Sequence, residues 1–317
     1  MQPTMKKEDR DTGDNDWTID HNAYTTIASA IENNSIPDLQ ESLALAREFF
    51  DDDGYAQFCE EVFRDILSHN SMNLLLYMLD YEQVTTTMIT PNCIFEWASK
   101  PLIEALISRG WDANTIDPPA FDGKRLLDYF VRERYGKEDL ARWLVQEKGA
   151  TVSSGHSYPD SDRGILRTPI HETCAAFGTV SMLTFLEGQG ASPTPRMLHV
   201  AVEVAAGRGV DPDDDASGHP QDSHNKSVEM LHYLVDKRQM SVNAMDTHTL
   251  SQGCIDTNWG TPICYAARCR KGAQVVRWLL KKGADPTLRG TYSRMNATAC
   301  ARQARCDNIM SILEGWR

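Results

Sequence analysis

The chain has 317 residues, of which 41% are hydrophobic, and 45 Asp and Glu outweigh 32 Lys and Arg to give a net charge of −13. That apolar content is ample for a packed core, while the acidic balance speaks against a general electrostatic grip on nucleic acid, which needs a basic stripe. No apolar run reaches the roughly 18–20 residues that span a bilayer, and Met1 to Asp20 is polar, acid-rich and without a signal-peptide core, so a cytoplasmic or nuclear protein is expected.

Residues 1–20, rich in Lys, Asp, Glu, Asn and Gly, are expected to form a disordered tail. Residues 21–68 carry a helical pattern (Ile27, Ile31, Leu39 and Leu43, then Phe58, Val62, Phe63 and Ile66) that fits a helical cap or one or two degenerate repeats. From residue 69 a second signature recurs, two adjacent apolar residues followed four positions later by another apolar pair or single residue. It occurs at Leu74-Leu75, Leu102-Ile103, Leu140-Ala141, Met182-Leu183, Met230-Leu231, Val275-Val276 and Ile309-Met310. Gly110, Gly149, Gly190 and Gly283 follow four of these runs and read as left-handed terminators. Arg238 takes the glycine's place after the fifth, and the Gly149 unit is one residue longer than the others.

A first helix is expected before each run. Thr90-Pro91, Thr168-Pro169-Ile170-His171, Thr194-Pro195 and Thr261-Pro262 supply four starts, each with a capping residue followed by Pro at a position where its missing N–H costs nothing. Thr261 is expected to accept a backbone N–H. Lys124–Arg134 and a shortened unit around Thr298-Ala299 and Ala301 supply two more. Insertions lengthen the chain on the hairpin side near 152–167 and 245–258, and between the two helices of one repeat near 207–226. This last segment holds an acidic run, Asp213-Asp214-Asp215, which lacks the alternating ligands of a calcium loop and reads as solvated.

The stretch Trp259-Gly260-Thr261-Pro262-Ile263 through Gly283-Ala284-Asp285-Pro286 resembles an ankyrin repeat, a family whose period is about 33 residues. The resemblance implies an all-α fold: an ankyrin-repeat solenoid of about seven or eight stacked helix–turn–helix units spanning residues 69–317, with short hairpins and the three insertions. It also implies a structural role for His171, whose imidazole would tie adjacent loops through backbone groups. Glu172 is read as a solvent-facing neighbour. Leu106, Asp112 and Asn114 match a Leu-x5-Asp-x-Asn pattern that resembles the asparagine-hydroxylation site of some ankyrin repeats.

The eight cysteines include no Cys-x-x-Cys pair and are read as reduced, mostly buried thiols. No phosphate loop, nucleophile elbow or zinc-protease motif occurs, so no catalytic, cofactor or metal residues are assigned. Trp143 and Trp278 fall beside the apolar pairs of second helices and are expected to pack between repeats. Trp111 and Trp259 flank hairpin bases and are candidate anchors for a partner. By analogy with the family, the chain is expected to be a non-catalytic, monomeric scaffold or adaptor. Its expected partner is another protein, with a basic surface, contacted through Trp111, Asp112, Asp117, Phe121, Asp122, Trp259, Arg289, Tyr292 and Arg294. The alternative is a solenoid with a small-molecule or catalytic pocket beneath the long insertions.

Overall fold

The computed structural model describes residues 25–82, 84–118, 123–152, 169–213, 223–246, 260–291 and 293–316. The expected tail at 1–20, the segment 153–168 and most of 245–258 lie outside them. The described residues are dominated by helices, and the chain divides into two compact units, Met1–Pro118 and Pro119–Arg317. A boundary at residue 68 would pass between two helices that pack on each other.

In the first unit, helix α1 (25–32) is followed by α2 (Ile36–Phe49), α3 (Asp52–Ser68), α4 (Met72–Tyr81), α5 (Pro91–Ile94) and α6 (Lys100–Ile107). Ser35, Asp51 and Ser99 cap α2, α3 and α6 by accepting the N–H groups of Asp38, Gly54 and Leu102. Ile27, Ile31, Leu39, Leu43, Phe58, Val62, Phe63 and Ile66 are all buried, as their helical spacing requires. Leu74, Leu75 and Met78 of α4 and Leu102, Ile103 and Leu106 of α6 complete the apolar faces.

Among the described residues the second unit holds five helix pairs: α7 (Leu126–Phe130) with α8 (Glu138–Lys148), α9 (Ile170–Phe177) with α10 (Val180–Gly188), α11 (Arg196–Arg208) with α12 (Ser223–His232), α13 (Pro262–Ala267) with α14 (Ala273–Lys281), and α15 (Ala297–Gln303) with α16 (Asp307–Gly315). The first helices pack in a row, α9 on α11, α11 on α13 and α13 on α15, and α10 meets α12 as α14 meets α16. Close approach along the row follows from small residues: Ala175, Ala176, Ala205, Ala206, Ala266, Ala267, Ala297 and Ala301 are all buried. Val275, Val276, Leu279 and Leu280 are at most 2% exposed, so truncating a single such Leu to Ala should cost about 2–5 kcal/mol. Trp143 and Trp278 are buried as well.

Second helices end on a shared device. After α6, α10 and α14 a glycine enters the left-handed region (Gly110, Gly190 and Gly283), and the N–H of the next residue returns to a leucine carbonyl five positions back: Trp111 to Leu106, Ala191 to Leu186 and Ala284 to Leu279. In the longer unit the bond spans six residues, from Ala150 to Leu144. The fifth ending differs from expectation. Helix α12 runs into a π-helical turn, Tyr233–Lys237, closed by the Arg238 N–H on Tyr233 O at 2.8 Å. The extra residue moves the left-handed position from Arg238 to Gln239, and Met240 then reaches back six residues to Leu234.

The helices that bound 207–226 reach into it, α11 continuing to Arg208 and α12 beginning at Ser223. One further reading changes. Thr261 occupies the N-cap of α13, but its hydroxyl lies 3.5 Å from the Cys264 thiol and accepts no backbone N–H. Seven cysteines are described and all are free, five of them buried, while Cys254 lies outside the described residues. Cys264 and Cys300 are in contact across α13 and α15; hydrogen bonding from Cys300 and Thr261 holds the Cys264 thiol down at about 7, and the same contact with Cys264 raises Cys300.

Candidate functional site at the hairpin edge

Three of the second-helix terminators open hairpins that share a polar signature. Two residues after the left-handed position stands an Asp or Ser, and its side chain accepts the N–H of the residue two further on. Asp112 thus holds Asn114 (2.8 Å), Ser241 holds Asn243 (3.2 Å) and Asp285 holds Thr287 (2.8 Å). Asp285 also accepts the Thr287 hydroxyl, and these bonds keep its carboxyl below the usual carboxylate range. Residue 114, 243 or 287, four after the terminator, is a position that the spacing of Gly110 and Gly283 could have revealed.

In the second unit these hairpins are locked to one another. Asn243 donates through Nδ2 to Gly283 O at 3.0 Å and accepts the Asp285 N–H at 2.7 Å. His199 turns Nε2 toward Ala244 O and Gly260 O, both at 3.0 Å, while Nδ1 lies 3.2 Å from Pro195 O. Two carbonyls facing Nε2 place the proton of a neutral ring there. Burial lowers the His199 pKa against the opposing pull of Asp246. Asp246 is 2% exposed; its N–H bonds Gly260 O at 2.8 Å, its carboxylate accepts the Tyr265 hydroxyl, and Arg196 lies 3.8 Å from it. Earlier in the unit Arg125, itself 4% exposed, bonds Thr151 O and the Thr151 hydroxyl, tethering the start of the hairpin after α8.

Among the described residues the loop-bridging role falls to His199. Both ring nitrogens of His171 are buried and have no hydrogen-bond partner among the described residues, and desolvation pushes its pKa down to about 4. Glu172 is not solvent-facing either: it is 3% exposed and accepts the Thr194 hydroxyl at 2.6 Å.

The expected contact residues divide sharply. Trp111 is 3% exposed and donates its indole N–H to Ile89 O at 2.9 Å, which makes it a hairpin anchor and not a partner anchor. Asp117 is fully buried, its carboxylate accepting the Asn92 N–H at the start of α5. Asp112 is exposed, with one oxygen engaged by Asn114. Phe121, Asp122, Trp259 and Tyr292 lie outside the described residues. Arg289 and Arg294 are exposed and, among the described residues, form no ion pair. They sit in the hairpin between α14 and α15, which is closed by Gly290 N–H on Met295 O and Arg294 N–H on Gly290 O, at 2.9 and 3.0 Å. Thr287 and Thr291 are exposed beside them.

A second feature lies in the first unit, where a cavity of about 450 Å³ opens between the end of α3 and the α5 segment, lined among others by Arg64, Leu67, Asn70, Met88, Cys93 and Trp97. Trp97 belongs to this wall, past the end of α5, with its indole N–H on Cys93 O.

No curated protein matches this chain. A family model described as Ankyrin repeat matches residues 259–291, the segment that contains the α13–α14 pair and the hairpin carrying Arg289. The chain therefore carries an ankyrin repeat at residues 259–291.

Proposed function

We propose that the chain is a non-catalytic scaffold or adaptor, built as a solenoid of seven or eight ankyrin-type repeats, that captures another protein along its hairpin edge. The observation carrying this reading is the hairpin between Asp285 and Asn296. Its backbone is fixed from inside by Asn243, Asp285 and Gly290, while Thr287, Arg289, Thr291 and Arg294 are left exposed. A rigid backbone presenting exposed side chains binds with little ordering cost. The recurrence of the helix pairs and their terminators supports the solenoid, and the ankyrin repeat supports an interaction role.

Met1–Pro118 holds 22 Asp and Glu against 7 Lys and Arg, a net charge of −15, which suits the basic partner surface expected from composition. Arg289 and Arg294, in the second unit, add a requirement for acceptor groups. No described helix is long and apolar enough to cross a membrane, and the reading places the protein in the cytoplasm or nucleus as a monomer. The buried polar groups Glu172, His199, Asp246 and Tyr265 engage side chains and backbone, which favours a structural role over a catalytic one.

Affinity purification with mass spectrometry on the full chain tests the assignment. Thr287→Ala/Arg289→Ala/Arg294→Ala should lose a discrete set of partners that a second-helix control, Arg277→Ala, retains. An identical partner set in both variants would refute the hairpin edge as the contact.

A further inference from the structure

The acidic total conceals a basic end. Residues 260–317 contain 11 Lys and Arg against 3 Asp and Glu, within a chain of net charge −13. The excess gathers where first helices turn into second helices, at the ends opposite the hairpins. Arg270 and Lys271 stand on the turn between α13 and α14, Arg302 lies in the last turn of α15, and Arg305 stands on the turn between α15 and α16. All four are exposed, and among the described residues none of them forms an ion pair or a side-chain hydrogen bond.

These turns are neighbours in space. Arg268 Nη1 donates to Gln303 Oε1 at 2.9 Å, and the Cys306 thiol lies 3.9 Å from Arg268 O. On the other side, a Cβ placed on Gly209, in the turn that ends α11, would lie 3.1 Å from Lys271 Cβ, and Arg208 adds a half-buried guanidinium held on the Ser227 hydroxyl. Two successive turns therefore line up four exposed cations along one edge, and Arg208 extends the row at the end of α11. Among the described residues the exposed carboxylates near them are Glu203, Asp213 and Asp307, and Asp213 is engaged by Lys281 while the half-buried Asp211 accepts Gln274.

We propose that this edge binds an extended acidic peptide segment of a partner protein whose carboxylates recur at every third residue. The register follows from two spacings: adjacent packed helices stand about 8–10 Å apart, and an extended chain rises about 3.3 Å per residue, so three residues carry a carboxylate from one turn to the next. Guanidinium groups suit this ligand because their planar fork pairs with a carboxylate through two bonds. Nucleic acid fits less well, since base stacking needs an exposed aromatic beside the cations. The one exposed tryptophan near the row, Trp316, follows α16 at the hairpin end and offers no stacking platform among the cations. The edge is separate from Arg289 and Arg294, so the proposal stands apart from the hairpin reading.

Fluorescence anisotropy on the full chain at low salt tests it, with a labelled heptapeptide bearing Glu at positions one, four and seven among Ser and Gly. The protein should bind this peptide more tightly than one of the same composition with its Glu residues contiguous, and raising the salt should weaken binding. Arg270→Gln/Lys271→Gln/Arg302→Gln/Arg305→Gln should lose at least about tenfold in affinity, as removal of several charge-assisted contacts requires, with thermal unfolding unchanged. Arg289→Ala/Arg294→Ala should bind the peptide as the wild type does. Absence of peptide binding, equal affinity in the Gln variant, or tighter binding of oligothymidylate each overturns the proposal. So does concentration-dependent self-association that the Gln variant abolishes, which would assign the edge to a second copy of the chain.

Discussion

Asn243 grips Asp285 across consecutive hairpins: its Oδ1 accepts the Asp285 N–H at 2.7 Å while its Nδ2 donates to Gly283 O at 3.0 Å. One amide thereby satisfies two backbone groups at the left-handed exit of α14. Asn243→Ala leaves both groups to water at a half-exposed site, and the loss should be about 1–2 kcal/mol, near the sum of two ordinary hydrogen bonds. Asn243→Asp retains the acceptor and forfeits the donor, so it should fall between. Urea unfolding of the three proteins checks the order, and an alanine variant as stable as the wild type would remove this link from the account.

Gly260 holds the same hairpin row together by backbone contact. Its φ is +111°, and a Cβ built there would stand 2.7 Å from Gly290 Cα. Gly260→Ala meets both a conformational penalty and a backbone clash that no side-chain rotation relieves, and a destabilisation above about 2 kcal/mol is expected. Gly283→Ala is the useful comparison: its φ is +87° but nothing lies within 4 Å, so it should cost only the conformational part, about 1 kcal/mol. The difference between their unfolding free energies measures the contact between hairpins.

His171 gives stability a defined pH dependence. Burial moves its pKa from the usual 6.5 to about 4, so between those values the unfolded chain binds the proton that the folded chain refuses. Stability is therefore complete above about pH 6.5 and declines as pH falls toward 4; at pH 5 the loss relative to pH 7.5 should be about 2 kcal/mol from this residue. His199, also lowered by burial, contributes in the same direction. His171→Leu removes one titration and keeps the other, so its unfolding free energy should vary less between pH 7.5 and 5 than that of the wild type. Parallel pH curves for the two proteins would count against a desolvated imidazole at this position.

What could be read from the sequence was local. The pairs at Val275-Val276 and Met182-Leu183, with Gly283 and Gly190 behind them, fix helix faces and ends through period and backbone preference alone, and the structure keeps each of them. What could not be read depends on neighbours distant in the chain. Trp111 follows a terminator just as an exposed aromatic would, but Ile89, 22 residues away, takes its N–H and buries it. His171 sits in the better motif, whereas His199 meets the carbonyls, because Ala244 and Gly260 come within reach of α11 and not of α9. The π turn at Tyr233–Lys237 shifted a terminator by one residue without any glycine to mark it. The basic edge was hidden by summation, since the charge of 260–317 disappears into a total dominated by the first 118 residues.

The cysteines allow accessibility to be checked residue by residue. Cys93 and Cys269 are half-buried, whereas Cys59, Cys174, Cys264, Cys300 and Cys306 are buried. Exposure alone would make Cys93 and Cys269 react alike. Burial, with Glu203 and Cys306 adding to it, pushes the Cys269 thiol up to about 11, and the thiolate is the nucleophile. Cys93 stands in the wall of the 450 Å³ cavity beside Met88 and Trp97, open to a reagent of that size. Among these seven, iodoacetamide at pH 7.5 should therefore label Cys93 first. Cys269 should follow only as pH rises toward its raised value, and the buried five should react on denaturation. Peptide mass mapping after a short pulse reads the order. Cys269 leading at pH 7.5 would contradict its raised pKa, and an inert Cys93 would close the cavity to small molecules.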